Sequence, residues 1–222
     1  GWGYDDGVVL QQTKQWIQAQ QGTPYLATVF SLSTHDPYVL PESWSPVFAS
    51  SKRKIEGVMN WRISGGQNAR LEMLDSYRFL DDQLVEFFAW YETQERDKGT
   101  VLVIAGDHTP HYLNEAHDGK VREMTFAVPI IIAGNDVVPA ANCSSLESRL
   151  ASIADLPSTI SGIVGLPPTA CDQGLNLLSS SWPEDRWVYA VGGDSLEKLY
   201  AWNRSGQVML DRVEQSIELL DN

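Results

Sequence analysis

Apolar positions in the first third of the chain alternate between helical and strand-like spacing. A helix is predicted from Asp5 or Asp6, since either aspartate suits an N-cap, to about Gln20, where a Gly-Thr-Pro sequence ends it. Tyr25–Ser33 is rich in β-forming residues and apolar on both faces, which predicts a buried strand. Residues 36–66 contain prolines and glycines, so we expect a long irregular segment there.

The longest regular pattern predicts a helix from about Gln67 to Glu95. Its apolar side chains recur every three or four residues, at Leu71, Leu74, Tyr77, Leu80, Leu84, Phe87, Phe88 and Tyr91. Acidic residues, Asp75 among them, fall mostly off this stripe. The pattern is typical of a helix that packs one face on a core.

Strand-like segments dominate the rest of the chain. Thr100–Ala105 and Val128–Ala133 are predicted as buried strands, joined by a loop from Gly106 to about Glu123. Leu146–Val164 is predicted as a helix interrupted near Pro157. Further β-like pieces are Trp187–Gly192, Leu199–Trp202 and Gln207–Leu210. This order is typical of a layered α/β/α domain with a mainly parallel central sheet.

Composition narrows the class of protein. The chain has 222 residues, 43% of them hydrophobic, which predicts one domain over residues 1–222 with a C-terminal extension of short strands over 179–222. A net charge of −13 excludes a nucleic-acid binder, which needs a basic face. No apolar run approaches the roughly 20 residues that span a bilayer, and no signal peptide is recognisable. The chain begins with Gly1, so we expect it to be a piece of a longer or processed polypeptide.

The chain contains two cysteines, Cys143 and Cys171. They are either two separate buried thiols or one disulfide that closes the segment 143–171. A disulfide would indicate an oxidising compartment. The spacing leaves both alternatives open.

Asp107 and His108 follow the apolar strand that ends at Ala105, after Gly106, which permits a tight exit. In α/β sheets, ligands gather at the carboxyl ends of strands. A carboxylate beside an imidazole suits a divalent metal, whereas the simpler alternative is a turn aspartate with a surface histidine. The chain has no GxSxG, GxxxxGK[ST] or GxGxxG motif, so serine hydrolase, P-loop and dinucleotide-binding functions lack their main support.

The remaining candidates lie in loops. His35, after the first predicted strand, suits an anionic substrate oxygen or acid–base chemistry, or else is a loop histidine bonded to the backbone. Lys120 and Arg122 suit a phosphate or sulfate clamp, although solvated loop charges are the commoner case. His111 and His117 are weaker candidates for substrate binding than His108.

Four stretches of the chain together carry a family resemblance. They are Tyr25–Tyr38 with its Thr-His-Asp-Pro-Tyr end, Tyr77–Phe88, Thr100–Pro110 with its Gly-Asp-His element, and Val128–Ala133 followed by Ile153–Gly165. In this order they resemble the C-terminal half of the sulfatase family's catalytic domain in the alkaline-phosphatase superfamily, in the branch of lipoteichoic acid synthases and phosphoglycerol transferases. The resemblance covers roughly residues 1–178.

The resemblance implies a metal-dependent transferase or hydrolase of phosphoglycerol-type groups, acting on membrane-lipid headgroups or envelope glycans. Asp107 and His108 would hold one divalent metal, manganese or magnesium foremost and calcium or zinc as alternatives. His35 would contact the transferred phosphoryl group or the substrate. The nucleophile and a further acidic metal ligand lie upstream in the family, so this chain is expected to be about half of a catalytic domain, inactive alone.

Other outcomes remain open within the resemblance. One is a sulfatase or phosphoethanolamine transferase, although neither cysteine lies in a C-x-P-S-R context. Another is a non-catalytic, lipid-binding or regulatory relative. The branch implies an extracytoplasmic domain, tethered to a membrane by segments outside this chain and completed by the N-terminal half of the domain.

Overall fold

The computed structural model describes residues 3–20, 22–51, 66–109, 126–135, 137, 146, 149–167, 173–192 and 197–220. The chain forms two compact units, residues 1–100 and 101–222. Six residues singled out from the sequence lie outside the described residues: His111, His117, Lys120, Arg122, Cys143 and Cys171. No helix within the described ranges is long and apolar enough to cross a bilayer.

The first unit begins with helix α1, Asp6–Ala19, which confirms the predicted bounds to within one residue. Asp5 is the N-cap, and its carboxylate accepts a hydrogen bond from the backbone N–H of Val8 at 3.1 Å. Such a cap stabilises a helix by about 1 kcal/mol. Of the apolar positions on α1, Ile17 is buried whereas Val8 and Trp16 are exposed.

The segment 25–33 differs from the prediction of a buried strand, which is wrong for the described structure. It contains no strand, and its apolar side chains Leu26 and Phe30 are mostly exposed. β-forming composition becomes a strand only where a neighbouring strand takes up the backbone hydrogen bonds. Among the described residues no strand pairs with it, and Tyr25 instead packs its ring edge-on against Trp16 at 5.6 Å.

Helix α3, Gly66–Gln94, confirms the predicted long helix to within one residue at each end. Its buried face carries Met73, Phe79, Phe87 and Tyr91. The Tyr91 hydroxyl donates to the carbonyl of Thr100 at 3.0 Å, which ties the last turns of α3 to the end of the first unit. The helix therefore supplies most of that unit's core.

Asp75 lies on the buried face of α3, contrary to its polar position in the sequence pattern. Its carboxylate accepts three hydrogen bonds at 2.8 Å, from the backbone N–H groups of Val47, Phe48 and Ala49. These groups begin the short helix α2, Phe48–Ser51, inside the segment predicted to be irregular. A buried carboxylate is tolerated because helix-start N–H groups solvate it.

In the second unit, strands β1, Leu102–Ala105, and β2, Ile130–Ala133, confirm two predicted strands in shorter form. The predicted burial is wrong for the described structure, since none of their residues is fully buried and Ile131 is exposed. They pair antiparallel, with Leu102 opposite Ala133. All strand pairs among the described residues are antiparallel, so the parallel pairing expected of the central sheet is not represented there. The mixed α/β character expected from the sequence is present.

The predicted helix Leu146–Val164 starts with the helical residue Leu146 but is not continuous. A 3₁₀ turn, Ile153–Asp155, leads into helix α4, Leu156–Ile163, and residues 149–152 are not helical. Pro157 stands in the first turn of α4 and does not interrupt it, because the first helical residues need no hydrogen-bonded N–H. The break in the predicted helix lies just before Pro157, at residues 149–152, which confirms an interruption near this proline.

The C-terminal residues form an antiparallel sheet in the order β3-β4-β5-β6. Its strands are Val188–Gly192, Lys198–Asn203, Gly206–Asp211 and Ser216–Leu220. The first three confirm predicted β-like pieces, and β6 was not predicted. One face of the sheet carries the unit's core of Val188, Tyr200 and Trp202, against which Phe126 and Leu150 pack.

Candidate metal site

The end of β1 is held close to the start of β2 by Gly106. Its backbone N–H donates to the carbonyl of Pro129 at 3.1 Å. A Cβ at residue 106 would lie 3.0 Å from Cβ of Val128, tighter than ordinary contact. Glycine therefore suits this close approach, because a larger residue would have to push Val128 away by a few tenths of an ångström. Asp107 and His108 follow directly from a fixed strand end.

Asp107 and His108 direct two metal-binding atoms into the same space. The Asp107 Oδ2 atom lies 3.6 Å from His108 Nε2, and the two side chains are 77% and 53% exposed. The other carboxylate oxygen, Oδ1, accepts the backbone N–H of His108 at 2.8 Å, which fixes the carboxylate. A carboxylate and an imidazole nitrogen are thus presented together at the strand end.

The buried residue Thr109 sets the orientation of the His108 ring. His108 Nδ1 lies 2.8 Å from the carbonyl oxygen of Thr109. A carbonyl only accepts, so Nδ1 carries the proton and the neutral ring presents its lone pair at Nε2. Histidines that bind metals are held in this way by a backbone carbonyl behind the ring.

The pair fits a divalent metal in donor type but supplies only two ligands. Oxygen and imidazole donors suit manganese, magnesium or zinc. No group of three or more histidine, cysteine, aspartate or glutamate side chains able to hold a metal occurs within the described part of the chain. Since a stable site needs three or more ligands, Asp107 and His108 amount to a partial site.

His35 lies in a tight turn of the first unit. Its backbone N–H donates to the carbonyl of Leu32 at 3.0 Å, and the N–H of Tyr38 donates to the carbonyl of His35 at 2.9 Å. His35 Nδ1 lies 2.7 Å from the carbonyl oxygen of Asp36. The exposed ring therefore has the same tautomer as His108, with Nε2 unprotonated in the neutral form.

Asp6 anchors the turn that carries His35, and the sequence pattern did not single it out for this role. Its buried carboxylate accepts the N–H of Leu32 at 2.8 Å and of Ser33 at 3.2 Å. The available signal was the pair of aspartates at the start of α1, because only Asp5 is needed as the cap. The start of α1 thus positions the His35 turn.

Tyr38 follows His35 at a backbone φ of 57°, in the left-handed region that few residues other than glycine adopt. Burial raises the pKa of the Tyr38 hydroxyl above its usual range, and the charges of Asp36 and Tyr77 raise it further. The phenol is therefore neutral at physiological pH.

A buried ion pair organises the second unit. Arg186 Nη1 and Nη2 contact the two carboxylate oxygens of the fully buried Asp155 at 2.8 and 2.6 Å. Asp155 also accepts the backbone N–H groups of Ser152 and Leu175, each at 2.8 Å. The pair fixes the start of α4 to the residues before β3. Its role is structural, and the local pattern gave no sign of it.

The chain matches known proteins both in sequence family and in fold. A family model described as Sulfatase matches residues 1–166. Among solved structures, the crystal structure of the lipoteichoic acid synthase LtaP from Listeria monocytogenes matches with a TM-score of 0.56 at 16% sequence identity. That match covers 98% of this chain and 54% of LtaP, so the chain spans about half the length of that protein and shares its fold. The chain belongs to the sulfatase family.

Proposed function

We propose that this chain is part of a metal-dependent transferase or hydrolase of phosphoglycerol-type groups, acting on membrane-lipid headgroups or envelope glycans. The observation that carries the proposal is the placement of Asp107 Oδ2 beside His108 Nε2 at the end of β1. The fold shared with a protein named as a lipoteichoic acid synthase supports the choice of a phosphoglycerol-type group.

In this proposal Asp107 and His108 hold the metal, with manganese or magnesium preferred. A bound divalent ion would polarise the phosphoryl oxygens. The Thr109 carbonyl keeps Nε2 of His108 directed outward, and the Asp107 carboxylate supplies charge. His35, held by the turn that Asp6 anchors, donates a hydrogen bond to a phosphoryl oxygen from its ring when protonated.

Segments outside residues 1–222 complete the proposed enzyme. A hydroxyl nucleophile from the N-terminal half of the domain attacks phosphorus, the bond to the lipid alcohol oxygen breaks, and a covalent phosphoester forms. Water or an acceptor hydroxyl then takes the group and frees the nucleophile. We place the parent protein outside the cytoplasm, tethered to the membrane whose lipids it uses.

The test is release of glycerol phosphate from phosphatidylglycerol vesicles with Mn²⁺ present. We expect little or no turnover by residues 1–222 and turnover by the polypeptide that includes the upstream half. In that polypeptide, Asp107→Ala should lower kcat/KM by about 100-fold, because a ligand is lost. Asp185→Ala, an exposed aspartate in the same unit, is the matched control. Full turnover by residues 1–222 alone, or normal turnover by Asp107→Ala, would overturn the proposal.

A second candidate, hydrolysis of sulfate esters, is favoured by the family model that matches residues 1–166. Asp107 and His108 would hold the metal for this reaction as well. The nucleophile, which lies outside this chain, would decide between transfer of a phosphoglycerol group and hydrolysis of a sulfate ester. An aryl sulfate assayed beside phosphatidylglycerol separates them. Faster turnover of the sulfate would favour the second candidate, and no turnover of either substrate would favour a non-catalytic relative.

A further inference from the structure

A cleft of about 430 Å³ lies in the first unit, and its lining includes neither Asp107 nor His108. It lies among the first turns of α1, the turn at residues 41–44 and the middle of α3. The residues that matter here are Gly7, Gln11, Gln12, Trp44, Phe79 and Gln83, and we call this the Trp44 cleft. Its volume is within the about 300–1,000 Å³ typical of small-molecule sites.

The aromatic side of the Trp44 cleft is held in a fixed orientation. The ring of Trp44 contacts the buried ring of Phe79 edge-on, with centroids 5.8 Å apart. Its indole N–H donates to Asp82 Oδ2 at 3.4 Å, and Asp82 is in turn bound by Arg78 at 2.7 Å. The backbone N–H of Trp44 closes a turn onto the carbonyl of Pro41 at 3.0 Å. A held aromatic ring loses little freedom when a ligand packs on it.

Three amides form the polar side of the cleft. Within the described ranges, the side chains of Gln11, Gln12 and Gln83 form no hydrogen bond to the protein. Each amide both donates and accepts, which matches hydroxyl groups that also do both. Gly7 leaves the room that Gln83 occupies, because a Cβ there would lie 2.7 Å from Gln83 Oε1.

The charge of the cleft argues against an anionic ligand. Among the described residues that line it, Asp5 is the only ionisable side chain, and none is a lysine, arginine or histidine. Phosphate and sulfate groups are bound through cationic donors, which are absent from this lining. A fixed aromatic ring beside neutral amides instead suits a ligand with C–H faces and several hydroxyls.

We propose that the Trp44 cleft binds a neutral polyhydroxylated ligand of the size of a hexose or a short saccharide. The ring of Trp44 packs against the C–H face, and Gln11, Gln12 and Gln83 bond the hydroxyls. This site goes beyond the proposed function, since it needs neither the metal nor Asp107. It gives the chain a means of holding carbohydrate through its first unit.

The test is a titration of the ¹⁵N-labelled chain with maltose, with glycerol and with glycerol 3-phosphate. The NMR signals of the glutamine side-chain amides and of the tryptophan indoles report binding. We expect saturable shifts of Gln83 and Trp44 with maltose, at a Kd on the order of 1 mM. Glycerol 3-phosphate should bind no more tightly than glycerol.

Two variants change the lining of the Trp44 cleft, and a third variant, outside the cleft, is the matched control. Gly7→Val places a side chain against Gln83, and Gln83→Leu removes one amide; each should weaken maltose binding by about 3–10-fold or more. Gln18→Leu, an exposed glutamine on α1 outside the cleft, should leave binding unchanged. Circular dichroism of each variant verifies that the fold is kept.

Absence of saturable shifts up to ~100 mM maltose would overturn the inference. So would equal binding by Gly7→Val, Gln83→Leu and the parent chain, or tighter binding of the phosphate ester. The result is separable from the proposed function, because Asp107→Ala should keep maltose binding while it loses turnover in the larger polypeptide.

Discussion

Asp6 and Ser33 exchange two hydrogen bonds: the backbone N–H of Asp6 donates to Ser33 Oγ at 3.1 Å, and the N–H of Ser33 donates to Asp6 Oδ2 at 3.2 Å. The pair joins residues 27 positions apart. It connects the first helical residue of α1 to the turn that contains His35. A buried carboxylate thereby sets the position of a candidate catalytic histidine.

Replacement of Asp6 by alanine should therefore disturb His35. Loss of the buried carboxylate leaves the N–H groups of Leu32 and Ser33 without acceptors, which should cost about 2–3 kcal/mol of unfolding free energy. We expect the ring signals of His35 to shift as well. The matched control is Asp5→Ala, which removes only the N-cap and should cost about 1 kcal/mol. Equal costs for the two changes, with His35 unmoved, would refute this role of Asp6.

Loss of the buried Asp155–Arg186 ion pair should lower the free energy of unfolding more than loss of an exposed ion pair. Arg186→Ala leaves a fully buried carboxylate without its counter-charge, which should cost about 3–5 kcal/mol. Arg204 offers the comparison, because its partner Glu184 is largely exposed and Arg204→Ala should cost less than about 1 kcal/mol. Urea unfolding of both variants measures the difference. Similar midpoints would mean that the buried pair is not the anchor described above.

The register of the C-terminal sheet predicts opposite outcomes for its two faces. Trp202 lies on the core face, opposite Val188, and Trp202→Ala should cost about 3–5 kcal/mol. Leu219 lies on the other face and is 80% exposed, so Leu219→Thr should change stability by less than about 0.5 kcal/mol. A large loss from Leu219→Thr would show that this face is covered or that the register is shifted.

The turn between β5 and β6 should contribute to stability in a pH-dependent way. Backbone N–H groups of Glu214 and Val213 donate to Asp211 Oδ1 at 3.0 and 2.9 Å, and they hold the pKa of Asp211 below its usual range. A lowered folded-state pKa stabilises the fold above the unfolded value of about 4, and that stabilisation is lost as pH falls through the folded value. Asp211→Asn keeps an acceptor oxygen but not the charge.

Urea midpoints of the parent chain and of Asp211→Asn, measured from pH 6 down to pH 2, test this effect. The parent should be the more stable protein at pH 6, and the gap should close in acid. A gap that stays constant over the range would contradict the role given to the Asp211 charge.

The spacing of apolar residues predicted those helices and strands whose pattern is visible within one short stretch of sequence. The bounds of α1 follow from its N-cap and apolar spacing, those of α3 from apolar spacing, and β1 and β2 from short apolar runs. Asp107 and His108 were also recognisable, since they directly follow a strand that the pattern predicted. The segment 25–33 failed because its composition favours a strand only when another strand is beside it.

The local sequence pattern did not predict which carboxylates are buried. Nothing in the sequence pattern predicts that Asp6, Asp75 and Asp155 are buried, yet all three are. Each is buried because it bonds N–H groups 20 or more residues away. Helical spacing and propensity contain no information on such distant partners, so only the folded chain reveals them.

The most direct measurement of the central claim is a Mn²⁺ titration of the chain with isotope-labelled histidine rings. The chain has four histidines, so their signals are separable, and paramagnetic broadening detects even weak occupancy. We predict that the His108 ring signals broaden at Mn²⁺ well below one equivalent, that Asp107→Ala removes this effect, and that Asp185→Ala retains it. Unbroadened His108 signals, or the same broadening in Asp107→Ala, would contradict a metal site at the end of β1.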